Sequence, residues 1–141
     1  VVGPGEVSLA AADMVSNKFS IITTVEGNVS RTYRRLIQNP IAQRKMKSVR
    51  PLNIPVAELR ENPDATRTYL EKVCRQCVKE DGVDTVILGC LGLAQYGGAV
   101  EQVCGAKAID PAFCALAWAE LAARLDLRPS RRSVASYGGT L

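Results

Sequence analysis

Short apolar runs rich in β-branched residues alternate along the chain with longer segments of helical period. The apolar runs predict four strands, at residues 19–24, 49–54, 85–88 and 106–109. The helical segments predict five helices, at residues 5–14, 28–38, 65–80, 94–104 and 112–125. Because strands that alternate with helices form a parallel sheet covered on both faces, we predict an α/β fold with a four-stranded parallel sheet flanked by helices.

Residues at the ends of these segments indicate how the strands are ordered. Pro51 has no backbone N–H to donate to a neighbour, so its strand is expected at an edge of the sheet. The run 85–88 is wholly apolar, which is typical of a central strand in a parallel sheet. Asn28 and Asp110 are predicted helix N-caps, and Pro111 suits the first position of the last helix.

The chain divides into four predicted regions. A connecting segment with a helix occupies 1–14, an α/β lobe 15–111, a C-terminal helix 112–127 and an extended basic tail 128–141. The tail has no periodicity and contains no acidic residue, and its three arginines supply three of the four net positive charges. The rest of the chain is therefore nearly neutral.

The composition narrows the class of protein. Hydrophobic residues make up 47% of the 141 positions and charged residues 23%, which is typical of a soluble globular domain. No apolar run approaches the roughly 20 residues of a membrane-spanning helix, so no membrane partner is expected. Aromatic residues amount to 5% and form no stacking surface beside a basic stripe, which argues against nucleic-acid binding.

Histidine and cysteine usage restricts the chemistry further. Histidine is absent, which excludes Ser-His-Asp and Cys-His catalysis and histidine metal sites within this chain. The cysteines number five and follow no secretory signal, so we expect free thiols in the cytoplasm. Cys74 and Cys77 lie inside a predicted helix, where their spacing favours packing on one face over a redox motif or a zinc site. The chain begins with Val, which suggests a processed or truncated product.

Cys90 is the cysteine best placed for chemistry. It stands where the strand 85–88 gives way to a glycine-rich turn and then to a helix. Backbone N–H groups at that helix start would stabilise a thiolate and bind a carboxylate, enolate or imide oxygen of a ligand. The flanking Gly89 and Gly92 permit close backbone approach. The alternative is that Cys90 is a small core residue.

Thr23 and Thr24 end the first predicted strand. Ligands of parallel sheets bind beyond the carboxyl ends of the strands, which makes both hydroxyls candidate ligand contacts. The alternative is that they are ordinary β-branched strand residues.

Five segments carry a likeness to a known family when they are taken in order. They are V-V-G-P-G-E at 1–6, F-S-I-I-T-T at 19–24, V-R-P-L-N-I-P-V at 49–56, D-T-V-I-L-G-C-L-G-L at 84–93 and A-I-D-P at 108–111. Together they resemble the aspartate/glutamate/hydantoin racemase superfamily, most closely its hydantoin and allantoin racemase branch. The resemblance covers nearly the whole chain and implies one lobe of a two-lobe racemase fold, with the C-terminal helix and tail.

The resemblance implies a racemase that uses neither cofactor nor metal and acts on a small molecule, such as a 5-substituted hydantoin or allantoin. In the family, a thiolate from one lobe removes the proton α to a carbonyl, and a thiol from the other lobe protonates the opposite face. Cys90 matches the catalytic cysteine of the second lobe. Thr23 and Thr24 match threonines near the substrate. Leu91 and Gly92 match positions whose N–H groups face the substrate oxygens.

The family's first catalytic cysteine has no counterpart in this sequence. This implies a missing N-terminal lobe, either lost or carried on a separate chain. Without that lobe the apolar last helix would lose part of its cover, so a homo-oligomer is expected. Two further functions stay open: a one-cysteine relative that protonates a single face, as arylmalonate decarboxylase-like members do, and a non-catalytic ligand-binding or assembly domain.

Overall fold

The computed structural model describes residues 2–130. In chain order, its helices and strands are α1 (Pro4–Val15), β1 (Phe19–Thr23), α2 (Glu26–Leu36), α3 (Pro40–Lys45), β2 (Met46–Pro51), α4 (Pro63–Asp81), β3 (Thr85–Leu88), α5 (Gly97–Cys104), β4 (Lys107–Ile109) and α6 (Pro111–Arg124). Two 3₁₀ turns, Val56–Arg60 and Leu91–Tyr96, precede α4 and α5. No helix within residues 2–130 is long and apolar enough to cross a membrane.

The four strands form one parallel sheet in the order β2-β1-β3-β4. β3 has a partner on each side, as its wholly apolar sequence predicts. β2 lies at an edge and pairs Pro51 with Thr23 of β1, so the missing N–H of the proline costs no interior hydrogen bond. The predicted fold class and both strand positions are therefore confirmed.

Apolar side chains on the two faces of the sheet form two separate clusters. On one face, called here the α4 face, Ile22 and Leu88 pack with residues of α4 and α5. On the other, called the α1 face, Ile21 and Ile87 pack with residues of α1, α2 and α3. Because successive strand residues point to opposite faces, β1, β3 and β4 contribute to both clusters, whereas β2 contributes Met46 and Val49 to the α1 face alone.

Cys74 and Cys77 of α4 have no exposed surface and belong to the cluster on the α4 face. Leu70 and Val73 of the same helix are buried beside them. The packing role expected for this cysteine pair is therefore confirmed.

The bounds of the second strand, and the segment that precedes it, differ from the sequence prediction. The strand was expected at 49–54, but β2 occupies Met46–Pro51 and follows a short helix, α3, that the periodicity does not reveal. The side chain of Asn39 accepts hydrogen bonds from the N–H groups of Ile41 and Ala42 at 3.0 and 3.1 Å, and Pro40 stands at the first helical position. A helix of six residues is set by these end signals, because it is too short for a periodic pattern.

Two predicted helix starts are wrong. α2 begins at Glu26 with Val25 as N-cap, and the Asn28 side chain instead donates to Oγ1 of Thr24 at 3.3 Å. The helix expected at 94–104 begins at Gly97, after the 3₁₀ turn. Adjacent Gly97 and Gly98 weaken helical preference at that point, which places the helix start later than the apolar pattern indicates.

α6 begins as predicted and leaves much of its apolar surface uncovered. Asp110 Oδ1 accepts from the N–H groups of Ala112 and Phe113 at 2.7 and 3.3 Å, which confirms its role as N-cap. α6 packs against α1, yet Phe113, Leu116 and Leu121 are 64%, 57% and 45% exposed. Residues 128–130 have no regular structure, and the remainder of the predicted tail lies outside the described residues. The division into four regions stays a prediction.

A cluster of charged groups fastens the C-terminal end of α4 to the sheet. Arg50 of β2 donates from Nε and Nη2 to Oδ2 and Oδ1 of Asp81 at 2.8 and 2.7 Å. Ser48 Oγ donates to the same Oδ2 at 2.6 Å, and Glu80 accepts a further bond from Arg50 at 2.8 Å. Hydrogen bonds from Arg50 hold the pKa of Asp81 below its usual value.

We expect Asp81→Asn to lower the free energy of unfolding at pH 7 by about 2 kcal/mol, because the two-point contact with Arg50 is lost. The folded pKa of Asp81 is lowered, so its contribution is complete above the ordinary value of 3.8 and is lost as pH falls through the folded value. Urea unfolding from about pH 7 down to about pH 3 should show the difference between variant and wild type shrinking at the acid end.

Glu80→Gln is the matched control, because Glu80 binds the same arginine but its side chain is 56% exposed. Its effect on stability should be clearly smaller. A Glu80 variant as destabilised as the Asp81 variant would contradict the assignment of the main contact to Asp81.

Candidate active site

Hydrogen bonds join the carboxyl ends of three strands. The N–H of Gly89, just past β3, donates to the C=O of Ile22 in β1 at 2.7 Å. The N–H of Leu52, just past β2, donates to the C=O of Thr23 at 2.7 Å. The residues that follow each strand are therefore held at one edge of the sheet, where parallel α/β folds bind their ligands.

Gly89 allows β3 to approach β1 closely at this edge. A Cβ atom at this position would lie 2.9 Å from the carbonyl oxygen of Ile22 and 3.0 Å from Cγ2 of Ile21. Both separations are shorter than ordinary van der Waals contacts between such atoms, and one neighbour is backbone. The close approach predicted for the glycines is thus required at Gly89.

Cys90 is the N-cap of the 3₁₀ turn Leu91–Tyr96. Its C=O accepts from the N–H of Leu93 at 2.9 Å. The N–H groups of Leu91 and Gly92 lie in the first turn, where no preceding helical carbonyl is available to them. The donors expected beside Cys90 therefore come from a short 3₁₀ turn, and the α-helix starts only at Gly97.

The two threonines have different surroundings. Thr23 continues the α1 face of β1, is 4% exposed and lines a cavity of about 170 Å³. Thr24 is 1% exposed, and its Oγ1 accepts the bond from Asn28. Its C=O accepts from the N–H of Ile54 at 3.0 Å. Of the two threonines at the end of β1, Thr23 lines this cavity and Thr24 does not.

The cavity lies between the strand ends, the first turns of α1 and the side of α2. Its lining includes Thr23 and Leu91 from the strand ends, Gly5 from α1, and Thr32 and Arg35 from α2. A volume of about 150 Å³ accommodates one benzene molecule, so this space suits a small ring or a short polar substituent.

Cys90 lies next to this cavity but does not line it. Its half-buried side chain packs against the cluster on the α4 face, and a Cβ added to Gly92 would lie 3.6 Å from its Sγ. A second cavity, of about 310 Å³, is lined by Leu91 and Gly92 together with Arg60 and Gln95. Leu91 thus borders both cavities.

The surroundings of three of the other thiols, Cys74, Cys77 and Cys114, disfavour the thiolate form. Burial raises the pKa of Cys77 to about 12 and raises that of Cys74 further. Burial also raises the pKa of Cys114, with a contribution from the nearby Asp110. Within residues 2–130, no group of three or more cysteine and carboxylate side chains is arranged to hold a metal ion.

Sequence patterns did not identify two of the residues that line the cavity, Thr32 and Arg35. They lie three residues apart on α2, and Leu36 on the same side of the helix is buried against the sheet. Leu36 indicated the side of the helix at 28–38 that faces the sheet, and Thr32 and Arg35 border that side, but three arginines in the segment made it resemble a solvated surface.

Comparisons with known proteins agree with this architecture. The family model described as Asp/Glu/Hydantoin racemase matches residues 1–119. A hydantoin racemase from Pseudomonas sp. (strain NS671) is 25% identical over 137 residues, which are 97% of this chain and 55% of that protein. The crystal structure of allantoin racemase from Pseudomonas fluorescens superposes with a TM-score of 0.85 at 29% identity, covering 93% of this chain and 55% of that one.

Allantoin racemase from Klebsiella pneumoniae gives a TM-score of 0.84 at 26% identity, covering 92% of this chain and 53% of that one. The chain therefore spans about half the length of the relatives that it matches.

We expect Gly89→Ala to lower the free energy of unfolding by about 1–3 kcal/mol, because the added methyl group must displace the backbone of β1. Urea unfolding measures this change. Gly98→Ala is the matched control, since a Cβ there meets nothing within 4 Å and the residue lies inside α5. That control should be neutral or stabilised by up to about 1 kcal/mol. An equal change in the free energy of unfolding of the two variants would contradict the close contact between Gly89 and β1.

Proposed function

The chain belongs to the Asp/Glu/hydantoin racemase family, and we propose that it supplies one of the two thiols of a cofactor-independent racemase acting on hydantoins or allantoin. The observation that carries the proposal is the position of Cys90, half-buried at the carboxyl end of the central strand and next to a ring-sized cavity. The names of the relatives support the substrate class.

In the proposed reaction, the Cys90 thiolate removes the proton from the carbon next to a substrate carbonyl. The C–H electron pair moves toward that carbonyl, and an enolate oxygen forms. The N–H groups of Leu91 and Gly92 stabilise this oxygen, because developing negative charge is favoured by donors already in place. Thr23 and Thr24, at the end of β1, lie beside the ring, and Thr24 is held in place by its hydrogen bonds with Asn28 and Ile54.

Return of a proton to the opposite face requires a second acid, because one thiol reaches only one side of a planar enolate. The other four cysteines lie within helices, at Cys74 and Cys77 of α4, Cys104 of α5 and Cys114 of α6, and none of them follows a strand end as Cys90 does. Burial of Cys74 and Cys77 further removes these two thiols from the substrate. The second thiol in the proposal therefore comes from another lobe.

The exposed side of α6 supports a further part of the proposal, a homo-oligomer. Phe113, Leu116, Trp118 and Leu121 leave apolar surface in contact with water, which is costly unless another surface covers it. The free cysteines support a reducing compartment, and we place the protein in the cytoplasm on that basis.

The isolated chain should not interconvert the enantiomers of a 5-substituted hydantoin, because a single thiol serves a single face. It should slowly exchange the α-hydrogen of one enantiomer for deuterium in D₂O. Proton NMR measures the exchange and chiral chromatography measures the interconversion. Cys90→Ala should reduce exchange to the rate of buffer alone.

Cys114→Ala is the control, since it removes a half-buried thiol outside the cavity and should leave exchange unchanged. Unchanged exchange in the Cys90 variant would contradict the role of Cys90, whereas wild-type exchange no faster than in buffer would favour a non-catalytic binding or assembly domain. Complete racemisation by the chain alone would mean that a symmetric assembly brings two copies of Cys90 together.

Light scattering at micromolar protein concentration should show a dimer or larger species. Leu116→Glu should shift it toward the monomer, because a charge on the α6 surface disfavours burial there. Tyr69→Glu on α4 is the control, as Tyr69 is similarly exposed, at 51%, but lies on another helix. A monomeric wild-type chain would contradict the homo-oligomer.

A further inference from the structure

The part of the cavity formed by α1 and α2 contains polar groups that the proposed proton transfer does not use. Thr32 and Arg35 of α2 line it opposite Gly5 and Ser8 of α1. The hydroxyl of Ser8 donates to the C=O of Gly5 at 3.0 Å, so it is already engaged. Thr32 and Arg35 are available to a ligand.

Arg35 has no acidic partner among residues 2–130. The ion pairs of the described chain involve other basic residues, and none includes Arg35. Its Nη2 atom lies 3.4 Å from the position that a Cβ of Gly5 would occupy, which places the guanidinium against the first turn of α1. The nearby carboxylate of Glu6 accepts from the N–H of Gly3 at 2.8 Å and closes that helix end.

Arg35 is exposed, and together with the first turn of α1 it makes this side of the cavity electropositive. The first turn of a helix carries partial positive charge, and Gly5 presents an N–H that no helical carbonyl reaches. A guanidinium facing the same turn adds a full positive charge. An anion between the two would satisfy both, with charge-assisted hydrogen bonds on either side.

A buried hydroxyl in the same cavity is the second, independent sign of a ligand. Thr23 lines the cavity, and its residue surface is only 4% exposed. Its C=O binds Leu52, but its Oγ1 has none of the side-chain hydrogen bonds found in the described chain. This oxygen is not among the fully enclosed side-chain oxygens that lack a partner in residues 2–130, so it opens into the cavity, where a ligand oxygen can reach it.

We propose that Arg35, with Thr32 and Thr23, forms a carboxylate-binding subsite, so that the ligand class is a hydantoin whose 5-substituent ends in a carboxylate. The planar guanidinium matches the two oxygens of a carboxylate. The volume of about 170 Å³ accommodates a carboxymethyl group beside an edge of the ring. The identity of the ring rests on the proposed function, whereas the anion site rests on the cavity itself.

The test compares two ligands that differ only in charge, 5-(carboxymethyl)hydantoin and its primary amide. Calorimetric titration of the 141-residue chain at pH 7 and low salt should show about ten-fold tighter binding of the carboxylate, as a charge-assisted hydrogen bond provides. Arg35→Ala should abolish this preference. Added salt should reduce it in the wild-type chain, because it depends on charge.

Arg34→Ala is the matched control, since it removes the same charge from the next residue of α2 without altering the lining of this cavity. It should keep the preference for the carboxylate. Circular dichroism should show that both variants keep the native helix content. An Arg35 variant that still prefers the carboxylate, or a wild-type chain that binds both ligands equally, would overturn the subsite.

Succinate separates the subsite from the proposed function. If succinate binds in an Arg35-dependent way and neither hydantoin binds more tightly, the anion site stands and the hydantoin function fails. Equal binding of the amide and the acid to wild type and both variants keeps the hydantoin site and overturns the subsite. Absence of binding by all three ligands overturns both.

Discussion

The contact between Gly89 and Ile22 determines the geometry of the strand ends. The N–H of Gly89 reaches the carbonyl of Ile22 at 2.7 Å, and a side chain at this position would meet that same oxygen at 2.9 Å. β3 therefore ends directly beside β1, and the next residue, Cys90, begins the 3₁₀ turn at that point. Thr23 and Leu91 line one cavity because these two strand ends are adjacent.

At the opposite end of the sheet, charged and polar side chains hold α4 against the strands. Asp81 at the end of α4 binds Arg50 and Ser48 of β2, and Ser20 of β1 lies 3.4 Å from the same carboxylate. These bonds fix α4 against two strands, while the carboxyl ends remain occupied mainly by backbone N–H groups, hydroxyls and one thiol. A rigid sheet with polar groups gathered beyond its strands is the usual support for a ligand site in this fold class.

The sequence predicted those parts of the fold that leave a strong local signal. The apolar run 85–88 identified a central strand, Pro51 identified an edge and Asp110 identified a helix start, because each property follows from one residue type and its neighbours. α3 was missed, since six residues are fewer than two helical turns. The apolar runs 19–24 and 85–88, with the glycine-rich turn after the second, located the strand ends and drew attention to Cys90.

The cavity itself could not be predicted from local patterns, because its two sides are separated in the chain. Thr23 and Arg35 are 12 positions apart and Gly5 precedes both, and only the packing of α1 and α2 on the same face brings them together. The same packing explains the division of roles between neighbouring residues. Thr23 points to the α1 face and its cavity, whereas Cys90 packs toward the α4 face. A ring bound at the strand ends would thus lie between a thiol on one side and an open cavity with a guanidinium on the other. Under the proposed function, a substituent that reaches this cavity would extend away from the thiol, so substrate preference and proton transfer would depend on different residues.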